Sequence, residues 1–237
     1  LIVPVLLQGG LTKIENGGII SHKELTEGKN MKKLISVLLI CVLLAGGFWI
    51  YSRLNRTELP ARGVWAERTY TNKEANIQLT VPEEYDIGTD EKIIDTYGFS
   101  EDYFEDVKNK HNCLDVFVQD TTSGSYSRMY IEYYLGQDKK IDAEQTLEFY
   151  KARNTKYTYY LDGSPDLNRI YGENFELTLC GQTYICCSFT LEGIEEFYQI
   201  VCYRITSTNA TVLIDIRGKS EERVNAYLTF FDTASVK

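Results

Sequence analysis

The chain contains no G-x-S-x-G nucleophile elbow, no H-E-x-x-H zinc motif and no glycine-rich phosphate loop, so no hydrolase, metalloprotease or nucleotide-binding signature is written in it. Positive charge is scarce in its larger part. Residues 57–237 carry 18 Lys/Arg against 31 Asp/Glu, a balance of −13. Affinity for nucleic acid rests on a Lys/Arg footprint facing phosphates, and a body of this charge repels them. Nucleic acid is therefore excluded as a partner. Histidine is nearly absent too, and past residue 57 only His111 remains. There is no internal repeat and no low-complexity tract.

What the sequence does hold is an ordinary globular composition with an appendage. At 237 residues, 43% hydrophobic and 25% charged, one domain is the natural expectation. The appendage is basic, since residues 1–56 carry seven Lys/Arg and three Asp/Glu, for +4. Within it, residues 34–51 (LISVLLICVLLAGGFWIY) form an 18-residue run without a charge, flanked by Lys32, Lys33, Arg53 and Arg56. Spanning a hydrocarbon core takes about 20 apolar residues, with roughly 17 as the lower limit. The run is expected to be a hydrophobic helix acting as a signal anchor, because Phe48, Trp49 and Tyr51 stand where an interfacial aromatic belt would sit. A signal peptide cleaved at Ala45-Gly46-Gly47 is the alternative, which would leave the protein secreted. A lipoprotein is not expected, because Gly47 occupies the position of the lipidated cysteine and Cys41 lies inside the apolar run. Met31-Lys32-Lys33 resembles a translation start, which marks residues 1–30 as an expected non-native upstream extension. The expected organisation is thus 31–51 as anchor or signal, 52–67 as a polar linker containing Pro60 and Gly63, and 68–237 as an extracytoplasmic domain.

Hydrophobic periodicity predicts the order strand, helices, two strands, helix, four strands, helix. Ile77, Leu79 and Val81 alternate with polar residues up to Pro82. Residues 90–111 read as one or two short helices, the better one opened by Ser100 as N-cap with Glu101 and Asp102 in its first turn. Leu114, Val116 and Val118 alternate, and Arg128 to Leu135 returns with Met129, Ile131 and Tyr133 on one face. Asp142-Ala-Glu-Gln145 has the form of a capping box, followed by a helix with Ala143, Leu147 and Tyr150 on its apolar side. Ile185, Phe189, Val212 and Ile214 then show the alternation of a buried sheet face. Ser220-Glu221-Glu222 opens a last helix whose Val224, Tyr227, Leu228 and Phe231 supply the stripe to cover it. Strands this close must be antiparallel hairpins. The fold class is α+β: a meander-like antiparallel sheet with helices packed on it, an α/β/α sandwich.

Tyr70-Thr-Asn72, followed by Ile77-Gln-Leu-Thr-Val81-Pro82-Glu-Glu-Tyr85, resembles the opening strand and V-P-x-x-W/Y corner of PsbP/Mog1-like domains. Leu179-Cys-Gly181-Gln-Thr-Tyr184 and the Ile214-Asp-Ile216 strand leading into the helix at Ser220 are similar to that family as well. The resemblance covers residues 68–233. It implies an α/β/α sandwich and a non-catalytic binding or accessory role beside a membrane complex. It brings no catalytic residue, because the family shares none.

No catalytic, cofactor-binding or metal-ligating residue is singled out by pattern. Five cysteines lie beyond the apolar run: Cys113, Cys180, Cys186, Cys187 and Cys202, an odd number without zinc-ligand spacing. Cys187 is expected as a core hydrophobe, with Cys186 pointing the opposite way. A cell-envelope hydrolase is the alternative function, using either carboxylates, of which 31 lie in residues 57–237 with none singled out, or a His111/Cys113 nucleophile and base pair. Asp162, Ser164, Asp166, Asn168 and Glu173 have the spacing of a calcium loop, but Leu167 stands where the turn wants glycine, so a calcium-stabilised adhesion module is a second alternative. Tyrosine is the compositional oddity, 18 in all, with Tyr130, Tyr133, Tyr134, Tyr157, Tyr159 and Tyr160 crowded mid-chain. Such residues could present a rigid surface to a protein or glycan partner. The function expected is a non-enzymatic extracytoplasmic binding or accessory domain at the cell membrane, attached through residues 34–51 and using no cofactor.

Overall fold

The computed structural model describes residues 58–122, 127–135, 142–157 and 166–232, with residues 35, 38–44, 46 and 47 of the N-terminal part. Leu1–Ser52 and Arg53–Lys237 are separate units. In the first, the described residues are helical, and Leu38, Leu39, Val42, Leu43 and Leu44 are exposed. Among the described residues no helix is long and apolar enough to cross a membrane. The rest of 34–51, and all of 1–30, lie outside the described residues.

The second unit is built on an antiparallel sheet of eight strands. They are β4 (Tyr85–Ile87), β5 (Asn112–Asp120), β6 (Arg128–Leu135), β7 (Lys156–Tyr157), β8 (Leu167–Leu179), β9 (Gln182–Leu191), β10 (Ile194–Ile205) and β11 (Ala210–Gly218). Their order across the sheet is β4-β5-β6-β11-β10-β9-β8-β7. The four long C-terminal strands run as successive hairpins, as their spacing predicts, and they dock on β6 through the last of them, β11, out of sequence order. Three short strands, β1 (Val64–Ala66), β2 (Thr69–Asn72) and β3 (Ile77–Thr80), make a second small sheet, not a continuation of the first. The expected linker is therefore partly built into the domain: Leu59 is fully buried and β1 pairs with β2.

Among the described residues of the unit are three α-helices and one turn of 3-10 helix, Val107–Asn109. α1 (Asp90–Tyr97) is capped by Thr89, whose side chain accepts from the Lys92 amide, and stops at Gly98 in the left-handed conformation. It, and not a helix opened at Ser100, is the regular element of this region. Residues 99–106 form turns instead, with Phe99 stacked on Tyr103 at 3.9 Å. α2 (Ala143–Arg153) carries the predicted capping box, with Asp142 and Gln145 satisfying each other's backbone amides. α3 (Glu221–Leu228) is capped by Ser220.

Both faces of the large sheet are covered. One face packs under the small sheet and α3, burying Met129, Ile131, Tyr133, Val212, Ile214 and Ile216 with Val224 and Tyr227. The other carries two clusters, one under α1 around Ile93, Leu114 and Phe117, and one under α2 around Leu147, Cys187, Phe189 and Val201. This corrects one expectation. Ile185 and Phe189 do not share a face with Val212 and Ile214: register places them on opposite sides, under α2 and α3 respectively. Cys187 is in the core and Cys186 points the opposite way, as expected, and both are fully buried because a sheet covered on both faces hides both parities of a strand. Phe231 is docked as expected, though not as a helical residue. Past α3 the chain turns and lies along β3, with Phe231 bridging Leu79 and the Asp232 amide donating to the Gln78 carbonyl at 3.1 Å.

Candidate functional site

Two buried aspartates organise the polar chemistry of the domain. Asp115 faces the small sheet. It accepts from Arg62 Nε at 2.9 Å, from the Gly63 amide at 2.9 Å and from the Tyr70 hydroxyl. Tyr70 also shares a hydrogen bond with Tyr133 at 2.9 Å, and Asn72 Nδ2 donates to Tyr133 at 3.1 Å and to the Ala61 carbonyl at 2.8 Å. Burial pushes the Tyr70 phenol well up, and the Asp115 charge adds to it, so Tyr70 remains a donor. Arg62 turns its other two nitrogens to Asp90 at 2.8 and 2.7 Å and lies 3.9 Å over the Phe104 ring. Burial works against its charge, but the bonds to Asp90 and Asp115 outweigh that and hold it more firmly protonated. Gly63 is required here because a Cβ would strike the Tyr70 ring. Every polar group of this web has a partner, so it reads as a clasp fastening residues 59–63 to the domain.

Asp215 lies on the opposite face, at the centre of the large sheet. Tyr130 donates to it at 2.7 Å, and Gln199 Nε2 donates to both its oxygens at 2.7 Å. Burial raises its pKa, against the opposing pull of Tyr130 and of Arg217, Arg128 and Arg169 nearby. Direct cross-strand partners project from the same face of a sheet, so the register defines a row. Gln119 on β5 faces Arg128 on β6, which faces Arg217 on β11, which faces Gln199 on β10, which faces Phe189 on β9. One step along, Phe117, Tyr130, Asp215 and Val201 form the parallel row. Tyr130 packs against the clusters of both α1 and α2, so this polar row occupies the seam between them.

Unlike the clasp, the seam is incompletely satisfied. Arg128 Nε, Arg217 Nε, Arg169 Nε, Tyr97 Oη and Gln199 Oε1 are buried without a hydrogen-bond partner. Arg169 does donate from Nη1 to Tyr150 at 2.7 Å and stands 4.8 Å over the Phe189 ring. Arg217 donates from Nη1 to Tyr157. Arg128 lies 5.9 Å from the centre of the Tyr97 ring. Cationic and aromatic groups set on rigid strands can orient a bound anion, while the thiol that shares this face, Cys187 opposite Val201, is pushed up to about 12 by burial.

The residues flagged by sequence are distributed otherwise. His111 is exposed, while the Cys113 side chain is fully buried in the core, its thiol pushed up to about 12 first by burial and then by Asp115. A thiol so placed is not a nucleophile near neutrality. All five cysteines of the domain are free and buried. Residues 158–165, with Asp162 and Ser164 of the calcium-loop pattern and with Tyr159 and Tyr160, lie outside the described residues. Asn168 and Glu173 belong to extended strand β8, and among the described residues no three His, Cys, Asp or Glu side chains gather as metal ligands. Of the crowded tyrosines, Tyr133 is in the clasp, whereas Tyr130, Tyr134 and Tyr157 are half-buried on the α2 side of the sheet.

Sequence reading missed the seam. Its signal was Asp215 between Ile214 and Ile216, and Arg217 beyond them, in a strand whose second parity looked solvent-facing. Once α1 and α2 cover that face, the charges become buried ones that need an explanation.

The fold defines an antiparallel α+β sandwich with a polar, arginine-bearing seam. No protein-family model matches the chain, and neither does any curated protein. Among solved structures it is similar to the solution structure of cyanobacterial PsbP (CyanoP) from Synechocystis, with 13% identity and a TM-score of 0.41 over 73% of this chain and 92% of that one. The likeness is one of general fold, and neither a residue nor an activity is carried from it.

Proposed function

We propose that this protein is a non-enzymatic binding or accessory domain, held at the cell membrane by residues 34–51 with residues 68–237 outside the cytoplasm. The observation that carries the binding role is the seam. Tyr97, Arg128 and Arg217 hold buried, unmatched polar atoms on a rigid sheet, and unmatched buried donors are costly unless something meets them. Against the His111/Cys113 route to catalysis, that pair is split between surface and core. The membrane tether is supported by the charge-free run of 18 residues, by its basic flanks and by its terminal aromatics.

The test is fractionation of the native full chain, with protease added to intact cells. The proposal expects the protein to stay with membranes through a carbonate wash, because inserted helices are held far more firmly than peripheral contacts. It also expects the domain to be cut from outside. Recovery from the medium with Phe48 as the new N-terminus would show a cleaved signal, and protection from external protease would overturn the extracytoplasmic placement.

A further inference from the structure

We infer that Arg128 and Arg217 form the receptor for an oxyanion on a hydroxylated ligand, a sugar acid or a sugar or polyol phosphate, seated on the seam between α1 and α2. The inference rests on the reading of the domain as a binding module and is independent of the tether. Four observations carry it.

The first is register. Arg128 and Arg217 are directly opposed on neighbouring antiparallel strands, so their stems leave the same face side by side. Like charges in that position repel. A fold gains nothing from the arrangement by itself, whereas one anion shared between two guanidinium groups removes the repulsion and turns it into attraction.

The second is the lack of a direct ion pair, since Asp215 acts on both arginines through space without bonding to either. Asp215 sits one row away, but Gln199 occupies both of its oxygens and Tyr130 one of them. Among the described residues, neither arginine forms an ion pair. Asp215 therefore tempers the positive field without closing it. The wider domain, at −13, attracts no anion in general, so an anion that binds does so through this local pair.

The third is the set of unmet donors. Arg128 Nε, Arg217 Nε and Tyr97 Oη are all buried without acceptors, although both arginines remain partly exposed as residues. A guanidinium matches a carboxylate or phosphate with paired N–H donors, which is the geometry these groups are left to offer. The fourth is an unmet acceptor beside them. Gln199 Oε1 is also buried and unpaired, in the same cross-strand row as Arg217. An oxyanion satisfies the donors, and a neighbouring hydroxyl on the same molecule satisfies Gln199. That pairing selects a sugar acid or a polyol phosphate over a bare apolar acid.

Isothermal titration of the full chain with glucuronate, glycerol 3-phosphate, acetate and uncharged glucose tests this. Expected is saturable binding of glucuronate or glycerol 3-phosphate, with acetate at least about 10-fold weaker and glucose silent, the tenfold being one lost hydrogen bond at about 1.4 kcal/mol. Which of the two hydroxylated anions binds more tightly distinguishes a carboxylate from a phosphate source. Arg128→Gln and Arg217→Gln should each weaken that binding by about 10-fold or more, and the double variant should abolish it. Urea midpoints of these variants should equal or exceed that of the unchanged protein, because a repulsion has been removed. Absence of saturable binding by either hydroxylated anion, unchanged binding in the double variant, or unfolding of the double variant would each overturn the proposal. A failure here leaves the carbonate-wash result standing, so the two readings fall separately.

Discussion

The two faces of the large sheet each hide an aspartate, and they treat it in opposite ways. On the side of the small sheet, Asp115 meets Arg62 directly, and the tyrosines, asparagine and backbone amide around it are all partnered. On the side of α1 and α2, Asp215 meets only neutral donors, while the arginines around it keep unmatched nitrogens. A satisfied buried network makes a fold rigid. An unsatisfied one costs free energy, and a stable domain keeps it where something else completes it. The difference lies between the two aspartate networks and not between whole faces, since Tyr184 Oη and Arg204 Nε on the Asp115 side are also buried without a partner.

If stability resides on the Asp115 face, truncation elsewhere in the same core should be severe. Phe231, which belongs to that cluster and is 6% exposed, supplies the largest expected effect. Phe231→Ala should cost about 3–5 kcal/mol in a urea melt, as for other buried phenylalanines. A neutral result would mean that the final turn is dispensable to the core on that face. Gly63→Ala comes next. The added methyl meets the Tyr70 ring and should cost about 1–3 kcal/mol through overpacking, read from the same melts.

The open face should reveal itself through pH. Asp215 has a raised pKa in the folded state because burial disfavours its charge. The folded protein therefore binds more protons than the unfolded chain between the ordinary carboxylate range and the raised value, and stability falls as pH rises through that window. Below the window the contribution is fully present, and above it is lost. The slope from one such group is at most about 1.4 kcal/mol per pH unit. Asp215→Asn should flatten the profile but not level it, because Glu132 on the same face is also raised by burial. A profile identical to that of the unchanged protein would show that Asp215 is not the buried titrating group. The smallest effect is expected at His111, which is exposed and outside both networks. His111→Ala should stay within about 0.5 kcal/mol, and a larger loss in the melt would reopen the enzyme reading.

Much of the fold was legible in the chain, and the reasons are local. Asp142 and Gln145 announced α2, Ser220 announced α3, and the alternation of Met129, Ile131 and Tyr133 gave β6 with its buried face. Errors arose where tertiary context decided. Ser100 with two acidic residues looks like a helix start, yet stacking of Phe99 on Tyr103 and the left-handed Gly98 belong to a turn region. Pro60 and Gly63 look like a linker, yet only a long-range partner, Asp115, shows that residues 59–63 are fastened. The seam was invisible for a related reason. Arg128 and Arg217 are 89 positions apart, and no periodicity announces that two strands so distant will pair with two guanidinium groups face to face.

The contrast between the faces is tested most directly by urea melts of Asp115→Asn and Asp215→Asn measured side by side at neutral pH. Asp115→Asn leaves Arg62 Nε and Tyr70 without their charged acceptor and should lose about 3 kcal/mol or more. Asp215→Asn removes a buried charge that no cation pairs with directly, and should leave the midpoint unchanged or raise it. Equal losses, or a greater loss at Asp215, would contradict the division into a satisfied network around Asp115 and an unsatisfied one around Asp215.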